Sequence, residues 1–233
     1  MAEESTSPFQ IILGSSSKAR KQILSEMGYE FTIMTADIDE KAIRMEKPED
    51  LVMALAEAKA DGIISRLQTT DISERKDNQI LLITADTAEA IISRLQTVEY
   101  KTLDTEPTLL ITADQVVVYE GKIREKPSSK EEARQFIKDY SGGCAATVGS
   151  VVVTNLKTGI RKGGWDRVEI YFHDIPDDII DNLIEEGHVL YVAGGLIIEH
   201  EWILPLVKEV VGTTDSVMGL PKALVEKLIS EAL

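Results

Sequence analysis

Apolar and polar positions along the chain change rhythm repeatedly, and their order predicts alternating strands and helices. The apolar run at residues 9–13 predicts a buried strand that enters a Gly/Ser turn. Residues 18–28 then show helix signals, with Ser17 as the expected N-cap and Gly28 at the end. Residues 29–37 have strand chemistry again. This alternation predicts an α/β fold.

The second half of the chain continues the pattern and adds antiparallel pairing. Residues 109–126 predict a strand that turns at Gly121 and returns as a hairpin. Ser129 and Glu132 form a capping-box pattern at the start of a helix. Further strands are predicted at residues 146–155, 164–172 and 196–212, and further helices at residues 176–187 and 221–233.

A long helical stripe follows residue 50 and contains one charged position. Leu51, Val52, Leu55 and Ile63 fall on neighbouring turns, and Lys59 interrupts them. A lysine at such a place can lay its apolar stem along the stripe while its ammonium reaches water. The pattern alone gives Lys59 no further role.

The middle of the chain contains a repeat. Residues 59–86 and 87–114 align without a gap, are identical at half of their positions, and end in the same LLITAD run, at Asp86 and Asp114. A solenoid needs about three or more units, and this period does not continue. We therefore interpret residues 59–114 as a 28-residue tandem duplication. It supplies one strand twice where a fold accepts it once, so we expect part of it to be looped out.

Composition and charge exclude several classes of protein. With 233 residues, 43% of them hydrophobic, the chain can bury a core as one large domain or two small ones. Its single cysteine, Cys144, excludes an internal disulfide framework. The acidic, polar start and the lack of an apolar run near ~18 residues predict a cytoplasmic protein without a membrane partner. The net charge of −15 argues against a nucleic-acid partner.

Three short segments contain candidate phosphate or metal chemistry. The Ser-rich turn before Arg20 could cradle a phosphate, although such turns also cap ordinary helices. Asp37, Asp39 and Glu40 are hard oxygen ligands of the kind Mg²⁺ prefers, or simply a solvated acidic loop. Asp114 ends a buried strand, where α/β sheets bind ligands. No His spacing indicates zinc, and no P-loop or G-x-S-x-G elbow occurs.

Six segments in order carry a family resemblance, namely IILGSSSKARKQIL, DIDE, ALAEAKA, LLITADQVVVYEGKIREKP, EEARQFIKDYSG and DSVMGLP. Together they resemble the Maf family of nucleoside triphosphate pyrophosphatases from about residue 9 to the end of the chain. The resemblance implies a Maf/ITPase-like, elongated mixed β-sheet flanked by helices, in a single domain over 1–233 with two lobes around a nucleotide-binding cleft. It also implies hydrolysis between the α and β phosphates to a monophosphate and pyrophosphate, which cleanses the nucleotide pool.

The resemblance assigns roles by position. The phosphate-binding residues of the family fall on Ser15, Ser17 and Arg20. The acidic loop residue, the helical lysine, the general-base aspartate and the lysine before proline fall on Glu40, Lys59, Asp114 and Lys126. Catalysis would then rest on Asp114, Lys59 and Lys126, and a Mg²⁺ or Mn²⁺ ion would bind Glu40 and Asp114. We expect Asp114, and not Asp86, to be the base, because only Asp114 is followed by the hairpin and the KP lysine.

Two positions indicate the nucleobase. Gln115 and Glu199 resemble the 7-methyl-GTP pyrophosphatase branch, and a carboxylate at Glu199 can accept hydrogen bonds from guanine N1–H and N2–H. Ala19 stands where that branch carries Trp, and the dTTP/UTP branch of the family remains the alternative.

The sequence thus leaves three hypotheses, in falling order of support. They are an active nucleoside triphosphate pyrophosphatase, a catalytically impaired nucleotide-binding protein, and a partner protein without chemistry. A homodimer is left open.

Overall fold

The computed structural model describes residues 8–75 and 106–233, and its centre is a mixed β-sheet. The strands are β1 Gln10–Leu13, β2 Thr32–Ile33, β3 Thr108–Tyr119, β4 Lys122–Arg124, β5 Cys144–Asn155, β6 Arg161–Phe172 and β7 Val207–Val211. The helices are α1 Lys18–Glu26, α2 Pro48–Arg75, α3 Lys130–Tyr140, α4 Asp177–Glu186, α5 Thr214–Val217 and α6 Lys222–Ala232. Short 3₁₀ turns lie at Glu40–Ala42, His188–Tyr191, Ala193–Gly195 and Leu204–Leu206.

The strands lie in the order β2-β1-β3-β5-β6-β7, and β4 pairs with β3 off this path. β1 is parallel to β2 and to β3, whereas β3, β5, β6 and β7 pair antiparallel in turn. The hairpin predicted around Gly121 is confirmed as β3 and β4. The predicted α/β class, with a mixed sheet flanked by helices, is also confirmed.

Two of the predicted helix caps form as the sequence indicated. The Ser17 hydroxyl accepts the Arg20 N–H at the start of α1, and Gly28 follows the helix with a φ of +82°. The Ser129 hydroxyl accepts the Glu132 N–H at the start of α3. The reciprocal half of the capping box differs, because the Glu132 carboxylate accepts from the N–H of Ser128 and not from that of Ser129.

Each face of the sheet is covered by different helices. One face packs against α2, where Leu51 and Leu55 meet Val116 and Val148. The other face packs against α1 and α6 at one end and against α3 and α4 at the other. At Gly14 an added Cβ would lie 2.5 Å from a Thr112 methyl group, so only glycine lets the chain turn this close to β3 and α2.

Two predicted strands are much shorter than expected. The strand predicted at residues 29–37 reduces to β2, Thr32–Ile33. The strand predicted at residues 196–212 exists only as β7, and the preceding residues form turns. A proline inside the Leu204–Leu206 turn lacks the N–H that strand pairing needs, which explains why the strand begins only at Val207.

The repeat contributes one part from each copy to the described structure. α2 contains the first IISRLQT segment, at residues 63–69, and β3 contains the second LLITAD run, which ends at Asp114. Asp86 and the second IISRLQT segment fall in residues 76–105, outside the described residues. The looped-out copy and the two-lobed single domain therefore stay predictions. Within the described ranges, no helix is long and apolar enough to cross a membrane.

Candidate active site

The candidate site lies where β1 ends and β3, still paired with β5 on its other side, continues without a described strand on the side of β1. β1 pairs with β3 only as far as Ile111, and the Gly14 N–H then bonds the Ile111 carbonyl as the chain turns into α1. β4 joins the same side of β3 only from Val117 onward. The stretch of β3 between these pairings holds Asp114. The expectation that Asp114 ends its strand was wrong, because β3 continues to Tyr119; Asp114 instead lies beyond the carboxyl end of the parallel strand β1, where α/β sheets bind ligands.

One lysine ammonium joins two carboxylates at this position. Lys59 Nζ lies 2.5 Å from Asp114 Oδ1 and 3.0 Å from Glu40 Oε1. The side chains of Lys59 and Asp114 are each only 13% exposed, whereas Glu40 is 48% exposed. The charged residue that interrupts the apolar stripe of α2 is therefore an ion-pair partner at the site, and not a lysine whose stem merely reaches past the core to water.

Glu40 approaches the site on a short turn. Its 3₁₀ turn is capped by the Asp39 carboxylate, which accepts the Lys41 N–H. Desolvation raises the pKa of Glu40, but the positive charges of Lys59, and then of Lys126 and Arg20, outweigh it and hold that pKa below its usual value. The Glu40 carboxylate thus faces three cations that come from distant parts of the sequence.

Arg20 is held by backbone carbonyls on two sides. Its Nε donates to the Gly219 carbonyl at 2.9 Å, and its Nη1 donates to the Ala113 carbonyl at 2.9 Å and to Ser15 Oγ at 3.3 Å. Desolvation lowers the pKa of Arg20, and the charges of Asp114 and Glu40 act in the opposite direction. In the described ranges no acceptor bonds Nη2, which leaves that nitrogen to donate to a ligand.

The two predicted phosphate-binding serines lie beside Arg20. The buried Ser15 hydroxyl accepts the Ser17 N–H at 3.2 Å, and the Ser17 hydroxyl caps α1. Both hydroxyl oxygens act as acceptors here, so both can direct their own protons to a phosphate oxygen. The structure thus brings together Ser15, Ser17, Arg20, Glu40, Lys59 and Asp114.

Gln115 makes contacts of a different kind from those the sequence predicted. Its side-chain amide donates to the carbonyls of Ser216 and Val217, at 3.2 and 2.8 Å. Gly219, with a φ of +95°, could carry no Cβ without approaching Gln115 and Arg20 to about 3 Å. Gln115 and Arg20 thus both donate hydrogen bonds to carbonyls of the same C-terminal segment. The sequence analysis did not identify Gly219, whose only signal was its place in DSVMGLP.

Lys126 and Glu199 are the least engaged of the predicted residues. Lys126 is exposed, and it reaches Glu40 through its charge and not through a direct ion pair. Glu199 is exposed in a turn, and no hydrogen bond or ion pair in the described part of the chain joins it to the Asp114 group. The loops that carry Glu40 and Lys126 are connected by an ion pair between Arg44 and Glu125, at 3.3 Å.

Two carboxylates, those of Asp114 and Glu40, could bind a metal ion together. Asp114 and Glu40 direct one oxygen each at the same ammonium, so their donor atoms already face a common cation. No group of three or more His, Cys, Asp or Glu side chains suited to a metal occurs within the residues described. Mg²⁺ is commonly held by one or two carboxylates together with substrate phosphates, and this donor set fits that chemistry.

Comparisons with known proteins show which family the chain belongs to. The family model for Maf-like proteins matches residues 10–232. The chain is 36% identical over 221 residues to a 7-methyl-GTP pyrophosphatase of Dictyostelium discoideum, a match that covers 95% of this chain and 96% of that protein. A 7-methyl-GTP pyrophosphatase of Vibrio parahaemolyticus is 27% identical, covering 91% and 90%. A dTTP/UTP pyrophosphatase of Thermotoga maritima is 27% identical, covering 95% and 89%. The chain belongs to the Maf-like protein family.

Proposed function

We propose that this protein is a nucleoside triphosphate pyrophosphatase that hydrolyses the bond between the α and β phosphates. The observation that carries the proposal is the Lys59 ammonium shared by Asp114 and Glu40. Next to it, the Arg20 guanidinium has one nitrogen without an acceptor in the described part of the chain. Relatives named as pyrophosphatases match nearly the whole chain. The products would be a nucleoside monophosphate and pyrophosphate.

The described side chains can take separate roles in this reaction. Lys59 takes one oxygen of the Asp114 carboxylate, and the other oxygen can orient a water molecule and accept its proton. Ser15, Ser17 and Arg20 Nη2 can donate to phosphate oxygens, where negative charge increases as the water attacks. The exposed Lys126 adds a cation at the open side of the site, suited to the leaving pyrophosphate.

A divalent cation fits the same carboxylates. Glu40 and Asp114 would hold Mg²⁺ or Mn²⁺, which would neutralise charge on the polyphosphate when bound. Because the chain carries a net charge of −15, local cations and a metal are needed to attract a polyanion. In the cell this activity would remove unwanted nucleotides from the pool, in the cytoplasm.

For the base, we propose a modified guanine such as that of 7-methyl-GTP. The support is the 36% identity to the Dictyostelium protein of that name. The Gln115 amide bonds the C-terminal segment whose Gly219 carbonyl holds Arg20. These contacts favour a role for Gln115 in positioning Arg20. Glu199 stays a predicted base contact. A dTTP/UTP preference is the alternative, because relatives of that name match at 27% identity.

The decisive experiment is a pyrophosphate-release screen over canonical and modified nucleoside triphosphates, with and without Mg²⁺ or Mn²⁺. We expect release with one group of bases, and a loss of about 10²–10⁴-fold in Asp114→Asn. Asp86→Asn is the matched control from the other repeat copy and should retain activity. Full activity in Asp114→Asn would overturn the assignment of the base. Tight nucleotide binding without turnover of any nucleotide would instead select the impaired binding protein.

A further inference from the structure

The strands that the structure describes cover only half of the outer edge of β6. β7 pairs with residues 169–172 of β6, whereas β5 pairs with β6 from Arg161 to Tyr171 on the inner side. Within the residues that the structure describes, no strand pairs with the outer side of residues 161–167. The Arg167 N–H instead donates to the carboxylate of its neighbour Asp166, at 2.9 Å. This is the behaviour of an edge N–H without a partner strand.

The side chains along this free edge alternate between two helices. A Cβ at Gly163 would meet Met53 of α2, and a Cβ at Gly164 would meet Leu224 of α6. Successive side chains of a strand point to opposite faces, so Trp165 shares the α2 side with Gly163. Lys162 and Asp166 share the α6 side with Gly164. Trp165 is 49% exposed, which is a large apolar surface to leave in water beside an open edge.

We propose that this edge pairs antiparallel with the same edge of a second copy of the chain, about a twofold axis at Gly164. In this register Lys162 of each copy lies opposite Asp166 of the other, on one face of the joined sheet. Trp165 of each copy lies opposite Gly163 of the other, on the second face. Each contact occurs twice, as a twofold interface requires.

The edge is complementary to itself in charge and in shape. Opposite charges directly across a strand pair stabilise it, and an aromatic ring opposite a glycine covers the backbone that the glycine exposes. Trp165 would also reach Met53, which lies over Gly163. Arg161 and Arg167 would face each other, but Asp61 and Glu169 of the same chain already neutralise them, at 2.7 and 3.8 Å.

The neighbouring registers lack this complementarity. A twofold axis at Gly163 places Lys162 opposite Gly164, and an axis at Trp165 places Asp166 opposite Gly164. Neither of them forms an ion pair between residues 162 and 166. Because the whole chain is strongly acidic, two copies repel each other at long range, and a local pairing of charges is needed for association. The axis at Gly164 supplies this charge pairing through Lys162 and Asp166.

A charge-reversal pair tests both the interface and its register in the full chain. Analytical ultracentrifugation over a concentration series should show a dimer for the wild type. Asp166→Lys places two lysines opposite each other at each contact, and Lys162→Asp places two aspartates there. We expect each variant alone to raise the dimer dissociation constant at least about tenfold. An equimolar mixture should restore the dimer, because every contact in the mixed pair then joins a lysine and an aspartate.

Matched controls separate this interface from general effects of charge. Lys208→Asp changes an exposed lysine on β7 and should leave the dimer intact. All these variants should retain pyrophosphatase activity, since β6 is separated from β3 and Asp114 by β5. In a Trp202→Phe background Trp165 is the remaining tryptophan, and its quenching by acrylamide should increase as the protein is diluted.

Three results would overturn the proposal. They are a wild-type monomer at every concentration, a dimer that survives Asp166→Lys unchanged, and a mixture of the two charge variants that stays monomeric although each folds like the wild type by circular dichroism.

Discussion

Two partly buried guanidinium groups, Arg20 and Arg124, differ in what surrounds them. Arg20 is held by the Gly219 and Ala113 carbonyls and keeps one nitrogen without an acceptor among the described residues. Arg124 lies 4.4–5.1 Å from the centroids of three aromatic rings and pairs with the Asp139 carboxylate. The first is oriented with donor capacity left for a ligand, whereas the second donates to the Phe136 carbonyl and to Asp139 within the fold.

The difference shows how the surroundings of a side chain decide its role. The rings around Arg124 belong to Tyr119, Phe136 and Tyr140, which join β3 to α3. The Tyr140 hydroxyl donates in turn to the Gly194 carbonyl, and burial raises the pKa of Tyr140 to about 12, so it stays a donor at physiological pH. Arg124 thus anchors a structural cluster, whereas Arg20 belongs to the site.

The same substitution at both arginines should separate these roles most strongly. Arg20→Lys keeps the charge but loses the fork that bonds two carbonyls while presenting a third donor. We expect pyrophosphate release to fall by about 10²–10³-fold. Arg124→Lys, the matched control, should retain activity within about threefold, because its contacts lie outside the site. Equal losses of activity in the two folded variants would contradict the comparison.

Complete removal of the second guanidinium should act on stability. Arg124→Met leaves the three rings without their cation and Asp139 with only its hydrogen bond from Gln135, so we expect the free energy of unfolding to fall by about 1–3 kcal/mol. Urea denaturation measures this directly. Below the transition, turnover per folded molecule should match the wild type. Unchanged stability would show that the aromatic cluster does not depend on Arg124.

The exposed cation of the site should have a smaller effect than Arg20. Lys126→Ala removes a charge that acts on Glu40 at a distance, and we expect KM to rise by about tenfold with little change in stability. Lys122→Ala, an exposed lysine at the other end of β4, is the control and should leave KM unchanged. Steady-state kinetics with the preferred nucleotide decide between these outcomes.

The weakest expected effect is the pH dependence that Glu40 contributes. Its pKa in the folded state is lowered, so its stabilising contribution is complete above the pKa of about 4.3 of an unfolded glutamate and is lost as the pH falls through the lower folded value. Glu40→Gln should therefore lose less stability on acidification than the wild type. Urea titrations at several pH values measure this, with Glu46→Gln as the control for an exposed carboxylate. Identical acid profiles for the wild type and Glu40→Gln would be the contradicting result.

Local signals predicted the elements well because they depend on neighbouring residues. Ser17 and Ser129 cap their helices as expected, and Gly121 turns the β3–β4 hairpin. Apolar runs were less informative about length. The run at residues 196–212 reads as one strand, but a proline-containing turn at Leu204–Leu206 interrupts it, and only β7 forms after that turn.

The sequence predicted the site residues that a family motif marks. It did not predict the roles that residues acquire only through packing against distant parts of the chain. Arg124 lies within the LLITADQVVVYEGKIREKP segment, but nothing there marks its contact with the rings of Phe136 and Tyr140 on α3. Gln115 was singled out for the base, but its amide bonds a segment about 100 residues away. Such partners depend on which distant backbone comes to lie beside a strand.

The sequence alone determined the α/β class, the family and the chemical types at the site, because these follow from periodicity, caps and ordered motifs. Only the tertiary structure decided that Lys59 on α2 pairs with both Asp114 and Glu40. It also decided that, among the residues described, one Arg20 nitrogen has no acceptor and half of the β6 edge has no partner strand. The second LLITAD run, which the sequence favoured through the hairpin and the KP lysine after Asp114, lies in the described sheet as β3. Asp114 holds that place because β3 pairs with β1 and β5, and pairing between distant strands is not encoded in any local repeat.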